Sequence, residues 1–262
     1  MAEPVVPAVA LLTALEAVTR QAGALIMQVY GTAFDVQHKS DASPVTEADE
    51  RAEACITAAL QRLHTGIPVV AEEAAARGQV PAIADRFWLV DPLDGTREFV
   101  ARNGEFTVNI ALIEHGVPVL GLVYAPVLDD LYLGAVGHGA WLVDKGQRRA
   151  ISCRALQPQS AVLACSRSHG DEAALQQWLR QAQPALVLSQ RLAVGSSLKF
   201  GLLAAGQADV YPRFGPTMEW DTAAGHAVLR AAGGEVEDLH GQPLRYGKAG
   251  FGNPHFVAWG RR

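Results

Sequence analysis

The apolar run Phe87-Trp88-Leu89-Val90 leads straight into Asp91-Pro92-Leu93-Asp94-Gly95-Thr96. Four consecutive bulky apolar residues read as a buried strand. Pro92 has no N–H to offer a ladder, so the strand is expected to stop there. Asp94-Gly95 is turn chemistry, and Thr96 can cap the element that follows. Two carboxylates three residues apart therefore stand at the carboxyl end of a buried strand, beside a backbone turn. Hard oxygen donors suit Mg²⁺, which takes one or two carboxylates plus substrate phosphate. Turn N–H groups suit an anion. Together they describe a site for a phosphate ester. Asp-Pro and Asp-Gly are also ordinary turn formers, so this stretch alone leaves a plain loop open.

The pattern repeats upstream, where Ile67 to Ala71 is a short strand running into Glu72-Glu73. Two neighbouring strands ending this way would gather Glu72, Asp91 and Asp94 at one sheet edge. The alternative for the glutamates is a solvated turn, because Ala74-Ala75-Ala76-Arg77 reads as a loop or short helix.

Around this centre, Ala8 to Tyr30 carries apolar residues at helical spacing, and Gly31 ends the helix. Residues 32–44 read as an irregular, exposed connection. Thr46 then caps a second helix running to about His64, with Asp49 three residues on as in a capping box. Asp49 is either that cap or a group that positions water; the local sequence favours the cap. Four strand-like runs between residues 106 and 143 form an antiparallel meander. Further strands are expected at 161–165, 186–189, 209–211 and 256–259, with helices at 172–183 and from Gly195-Ser196-Ser197 to 205. Asp221 stands where another helix begins, readable as its N-cap, with small residues behind it that allow close packing. Strands and helices are partly segregated, which is an α+β class. A packing division near residue 158 separates an N-terminal half, 1–158, from a C-terminal half, 159–262. No flexible spacer marks it.

A chain of 262 residues, 49% hydrophobic and 19% charged, can bury a large core. The net charge of −5 gives no reason for wholesale nucleic-acid or membrane binding. An anionic substrate would need bound cations to enter an acidic pocket. Three cysteines far apart in sequence fit a reducing cytosol rather than a disulfide or zinc framework. The N-terminus lacks the basic region of a signal peptide, and no apolar run approaches the roughly 18 residues of a spanning helix. A cytoplasmic protein with no transmembrane segment is expected.

In chain order, Asp49, Glu72-Glu73, Asp91-Pro92-Leu93-Asp94-Gly95-Thr96 and Trp220-Asp221-Thr222-Ala223-Ala224 closely resemble the lithium-sensitive, magnesium-dependent phosphatase superfamily. That group holds inositol monophosphatases, fructose-1,6-bisphosphatases and 3'(2'),5'-bisphosphate nucleotidases. Each piece is weak alone; the ordered set is specific and spans nearly the whole chain. The narrower resemblance is to the bacterial bisphosphate nucleotidases. It is carried by Asp94 to Phe99, Arg102 to Asn109, Ser166-Arg167-Ser168-His169, Gly195 to Phe200 and Tyr211 to Pro216. Inositol monophosphatases usually have Thr-Asn-Phe at Arg97-Glu98-Phe99. Arg97 stands where the nucleotidases often have Lys, and Ala71 where Gly or Ser is common.

The resemblance implies a layered αβαβα sandwich of the inositol monophosphatase/fructose-1,6-bisphosphatase type. It implies two or three Mg²⁺ per site, held by Glu72, Asp91, the Leu93 carbonyl, Asp94 and Asp221. Thr96, paired with Asp49 and assisted by Glu72, would orient or deprotonate the attacking water. Glu72, Leu93, Asp94, Gly95, Thr96 and Asp221 would also contact substrate. The implied substrate is adenosine 3',5'-bisphosphate, hydrolysed to AMP and phosphate, with its sulfonated precursor also accepted. Its second phosphate needs a basic holder, for which His169, Ser196, Lys199 and Arg213 are candidates. Against that, Lys199 reads as a solvated helix face and His169 as a loop or cap residue. Glu73 is a supporting or merely exposed residue, while Trp88, Trp220 and Phe99 read as packing groups.

The partner is thus a small nucleotide bisphosphate, with no nucleic acid required, bound by a monomer or homodimer. One alternative is a sibling enzyme, an inositol or sugar monophosphatase. Another is an interaction protein for RNA-processing or transcription machinery, although converging carboxylates are costly unless cations neutralise them. Family members are also described as peripheral on the cytoplasmic face of the inner membrane; no anchor in this sequence requires it.

Overall fold

The computed structural model describes residues 8–38, 44–63, 66–167 and 172–262. Helix α1 (Ala8–Tyr30) is followed by two short paired strands, β1 (Gln37–His38) and β2 (Pro44–Val45), and by α2 (Glu47–Leu63). Strand β3 (Val69–Ala71) runs into the short helix α3 (Glu72–Ala76). Strand β4 (Arg86–Asp94) precedes another short helix, α4 (Thr96–Val100). The expected meander is present as β5 (Thr107–Glu114), β6 (Val117–Ala125), β7 (Asp130–Ala135) and β8 (Gly139–Asp144). An unforeseen strand, β9 (Gln147–Ile151), extends it. These form one seven-stranded sheet in the order β3-β4-β5-β6-β7-β8-β9, antiparallel except for the β3/β4 pair.

The second sheet has five strands in a crossed-over order. It contains β10 (Ala161–Ser166), β11 (Leu188–Val194), β12 (Val210–Arg213), β13 (Glu235–Asp238) and β14 (Phe256–Trp259). Their order is β11-β10-β12-β14-β13. Helices α5 (Glu172–Gln181), α6 (Leu198–Ala204) and α7 (Glu219–Ala231) complete the chain.

Each layer follows from which face is apolar. Helices α1 and α2 bury Leu15, Ile26, Ile56 and Leu60 against Trp88, Ile110 and Leu122 on one side of the large sheet. On its other side α6 and α7 fill the space between the sheets, where Phe200, Val228 and Leu229 meet Leu89, Ile113, Tyr211 and Phe256. Helix α5 covers the far face of the small sheet with Leu175 and Trp178 against Val210, Val257 and Trp259. The result is the α/β/α/β/α stack.

The small residues of α7 do what their size allows. A Cβ at Gly121 of β6 would lie 2.3 Å from the Ala224 carbonyl oxygen, and one at Gly134 of β7 would lie 2.9 Å from Ala231 Cβ. Backbone therefore packs on backbone, and α7 is pinned over the large sheet from Ala224 to Ala231.

Three local expectations are corrected. Strand β4 does not stop at Pro92. It continues to Asp94 through a register shift between Asp91↔Asn109 and Asp94↔Thr107, a bulge where proline needs no ladder N–H. Asp221 is the third residue of α7 rather than its N-cap, which is Met218. Helix α1 is, by length and composition, apolar enough to cross a membrane. Here its apolar side is core, packed on α2 and on β6.

Candidate active site

The acids are brought together where the strands end. Asp91 is 1% exposed at the end of the ordered part of β4, and its Oδ1 accepts the Leu93 N–H at 3.0 Å. Burial drives its carboxyl well above the usual range, and the charges of Glu72, Asp94 and Asp221 push it further. Asp221 is raised in the same way, by desolvation and then by Asp94 and Glu72. Its Oδ2 accepts the Met218 N–H at 2.8 Å, which holds the carboxylate against the start of α7. Four carboxylates thus repel one another across one small space.

Glu72 opens α3, directly after β3. That start is fixed from behind by Glu53 of α2, a buried carboxylate whose Oε2 accepts the Glu73 N–H at 2.7 Å while Arg77 lies 3.2 Å from its Oε1. Burial raises the Glu53 pKa. Glu73 is 3% exposed, which removes the merely exposed alternative for it, while its neighbour Glu72 lines the cleft.

Gly95, at φ 89°, makes the turn, and it rather than Thr96 is the N-cap of α4. The Thr96 hydroxyl is turned instead toward Asp49, with Oγ1 3.2 Å from Oδ1 and 3.3 Å from the Leu93 carbonyl oxygen. Asp49 Oδ2 accepts both the N–H and the hydroxyl of Thr46, at 2.8 and 2.7 Å. The cap and the site partner are therefore the same carboxylate, one oxygen for each. Leu93 keeps its side chain in the core and contributes only its carbonyl.

A cleft of about 270 Å³ lies over these groups, between the two sheets. Glu72, Asp94, Gly95, Thr96 and Asp221 line it. Ser196, Lys199 and Arg213 line it as well. Lys199 is 4% exposed, not on a solvated face. Its Nζ donates to the carbonyls of Ser196 and Val194 at 2.5 and 3.2 Å and sits 5.2 Å from the centre of the Tyr211 ring. Burial lowers its pKa to about 8, with Arg213 adding to the effect and Asp94 opposing it. Arg213 donates through Nη2 to the Pro216 carbonyl, while its buried Nε–H has no protein partner among the described residues. Ser196 hydrogen-bonds Asp94 Oδ2 at 2.6 Å and Thr107 Oγ1 at 2.6 Å. His169 lies outside the described residues. Trp88, Trp220 and Phe99 are buried packing groups.

The donor set fits a divalent cation. Clustered carboxylates, with Asp91 and Asp221 driven up by burial and by their neighbours, need compensating positive charge, and hard oxygens match Mg²⁺. Among the described residues no three acids, histidines or cysteines already stand as a closed metal cage. Mg²⁺ does not need one, since it keeps several waters and shares substrate phosphate oxygens. Glu72, Asp91, Asp94, Asp221 and the Leu93 carbonyl are the groups that would hold it.

Residues that sequence reasoning did not single out sit just behind the acids. Asn109 of β5 donates to Ser197 Oγ at 2.9 Å, and Ser197 reaches Asp94 Oδ2 at 2.8 Å. Glu105, just before β5, accepts from Arg167 after β10 at 2.6 and 3.0 Å and from the Gly195 N–H after β11 at 2.8 Å. Arg167 holds the Glu105 carboxyl below its usual range, against the effect of burial.

This layering, with acids at strand ends between two sheets, is that of the inositol monophosphatase fold. The chain belongs to the inositol monophosphatase family, which it matches over residues 9–257. It is 52% identical over 240 residues to the 3'(2'),5'-bisphosphate nucleotidase CysQ of Escherichia coli strain K12, covering 90% of this chain and 94% of that protein. The CysQ of Haemophilus influenzae is 33% identical, over 92% of this chain and 89% of that one. Among solved structures, CysQ from Bacteroides thetaiotaomicron, a bacterial member of the family, superposes with a TM-score of 0.80 at 37% identity, covering 97% of this chain and 98% of that one.

Proposed function

We propose that this chain is a Mg²⁺-dependent 3'(2'),5'-bisphosphate nucleotidase that hydrolyses adenosine 3',5'-bisphosphate to AMP and phosphate in the cytoplasm, and accepts its sulfonated precursor. The observation that carries the reading is the two-signed cleft. A cluster of mutually repelling carboxylates shares the cleft with Lys199 and with an Arg213 whose buried Nε–H has no partner among the described residues. A simple monophosphate needs only the carboxylates and their cations. A substrate with a second, non-reacting phosphate uses Lys199 and Arg213 as well. The 52% identity to a named bisphosphate nucleotidase supports the same choice.

Bound at the acids, Mg²⁺ would neutralise charge on the phosphate and acidify a water. The protein's own part is orientation and proton transfer. Thr96 Oγ1, held by Asp49, accepts a hydrogen bond from the attacking water and passes its proton toward Asp49 Oδ1, with Glu72 nearby as a second acceptor. Backbone N–H groups at Gly95 and Thr96 face the departing phosphoryl group. Arg213 and Lys199 hold the remaining phosphate by charge-assisted hydrogen bonds.

The test is phosphate release from adenosine 3',5'-bisphosphate, inositol 1-phosphate and fructose 1,6-bisphosphate with Mg²⁺, with and without Li⁺. Preference for the adenosine compound, lost with Li⁺ or a chelator, is expected. Preference for inositol 1-phosphate keeps the mechanism and overturns the substrate. Absence of turnover on all three overturns the enzymatic reading.

A further inference from the structure

We propose that Ser197 is a positioning residue that fixes Asp94 against α7 and thereby sets how tightly the acid cluster holds its divalent cation; the inference rests on the metal-dependent reading above. Ser197 immediately precedes α6, where a serine ordinarily caps the helix. Its side chain makes no cap bond. The hydroxyl, on a residue 2% exposed, lies 2.8 Å from Asp94 Oδ2 and 2.7 Å from the Asp221 carbonyl oxygen, and it accepts the Asn109 Nδ2–H at 2.9 Å. The single hydroxyl hydrogen is shared between these two acceptors, and in this way one oxygen atom links the end of β4, the neighbouring strand β5 and the first turn of α7. Those are the elements that carry Asp94 and Asp221.

The consequence falls on Asp94. Its Oδ2 accepts from two hydroxyls, Ser197 and Ser196, and more distantly from the Asn109 Nδ2–H at 3.5 Å. Among the described residues no donor is bound to Oδ1. The side chain is thus held with one oxygen committed to the protein and the other left for a ligand. The turn that supplies the hydroxyls is itself held rigid. Ser196 sits at φ 54°, and Lys199 donates to the carbonyls on either side of Gly195. A Cβ at Gly195 would lie 2.6 Å from the Glu105 carbonyl oxygen, so only glycine fits there. A carboxylate ligand whose free oxygen is aimed by such a frame binds metal without first losing rotamer freedom. Removing the groups that orient a ligand typically costs 10–100-fold in metal affinity.

Calorimetric titration of Mn²⁺ into the metal-free full chain tests this, alongside Mg²⁺ activation curves. Ser197→Ala is expected to bind the cation ~10–100-fold more weakly. Its half-saturating Mg²⁺ rises, while kcat at saturating Mg²⁺ stays near wild type; a purely structural loss would lower the active fraction without moving that midpoint. Ser197→Thr, which keeps the hydroxyl, recovers the affinity. Wild-type affinity in Ser197→Ala, or no recovery in Ser197→Thr, overturns the inference. A wild-type chain that binds no cation overturns the metal reading and the inference with it. Should Ser197→Ala not fold, Ser196→Ala removes the other hydroxyl from the same Asp94 oxygen: weakened binding there supports the inference, and unchanged affinity overturns it.

Discussion

Thr96 Oγ1 stands 3.2 Å from Asp49 Oδ1, across a sequence separation of 47 residues. The other Asp49 oxygen is bound to Thr46, so the aspartate cannot turn away from the threonine without uncapping α2. A hydroxyl oriented by a fixed carboxylate is a proton acceptor for water, and general base catalysis is worth ~10²–10⁴ in rate. Thr96→Ala is expected to lower kcat by about that factor with little change in stability. Asp49→Asn should lower kcat comparably and also cost ~1 kcal/mol through the weakened cap. The double variant should be no slower than the worse single, because the two act as one unit. Additive losses would break the pairing.

The contact between Gly121 and Ala224 ties stability to the site. A methyl group placed 2.3 Å from a helix carbonyl forces β6 and α7 apart. Overpacking of this kind costs ~1–3 kcal/mol. Gly121→Ala is therefore expected to lower the unfolding free energy by that amount, read as a lower urea midpoint at unchanged m. Because α7 carries Asp221, it should also raise the Mg²⁺ concentration needed for activity. An unchanged urea midpoint would show that the layers yield more easily than their spacing implies.

What could be read from the sequence divides by the range of the contact involved. The acid-terminated strands were legible because hydrophobic run, proline and turn are consecutive at Val90 to Gly95. The helix α1 was legible because its period is local. Strand β9 was not, since Gln147-Arg148-Arg149 is a polar, exposed edge with no alternation to detect. Asn109 and Ser197 were missed for a different reason. They are 88 residues apart and meet only when β5 and the start of α6 pack together. For Lys199 the sequence left a solvated helix face open as the alternative to a phosphate contact, because α6 is buried on nearly all sides and no amphipathic stripe reveals it. The paired roles of Asp49 became visible only through the family resemblance, because the cap alone accounts for its local spacing.

Lys199 gives a pH test of the second-phosphate assignment. Burial lowers its pKa to about 8, so it loses its proton near that pH while most lysines stay charged. With the charge gone, the hold on the second phosphate weakens. For a bisphosphate, kcat/KM is expected to fall as pH rises through about 8; for inositol 1-phosphate it should not. Lys199→Met should remove that limb and raise KM for the bisphosphate far more than for the monophosphate. Parallel alkaline limbs on both substrates would place the titration elsewhere.

His226 gives a pH test of stability away from the acids. It is 3% exposed on α7, with Nδ1 3.0 Å from the Tyr246 hydroxyl, which in turn donates to Thr222 at 3.3 Å. Burial pushes its pKa down to about 3, and Arg230 and Arg245 push the same way. In the unfolded chain the imidazole returns to its ordinary value of 6.5. Between those two values the unfolded chain carries one more proton than the folded one. Stability contributed by this group is therefore complete above pH 6.5 and is lost as pH falls from 6.5 toward about 3. The slope is ~1.4 kcal/mol per pH unit for one proton. His226→Gln should unfold with a pH dependence shallower by that amount between pH ~6 and ~4, measured as urea midpoints at fixed Mg²⁺. Identical slopes in the two proteins would mean that the folded chain admits a proton at His226, and that the core between α7 and Tyr246 opens to water more readily than its packing indicates.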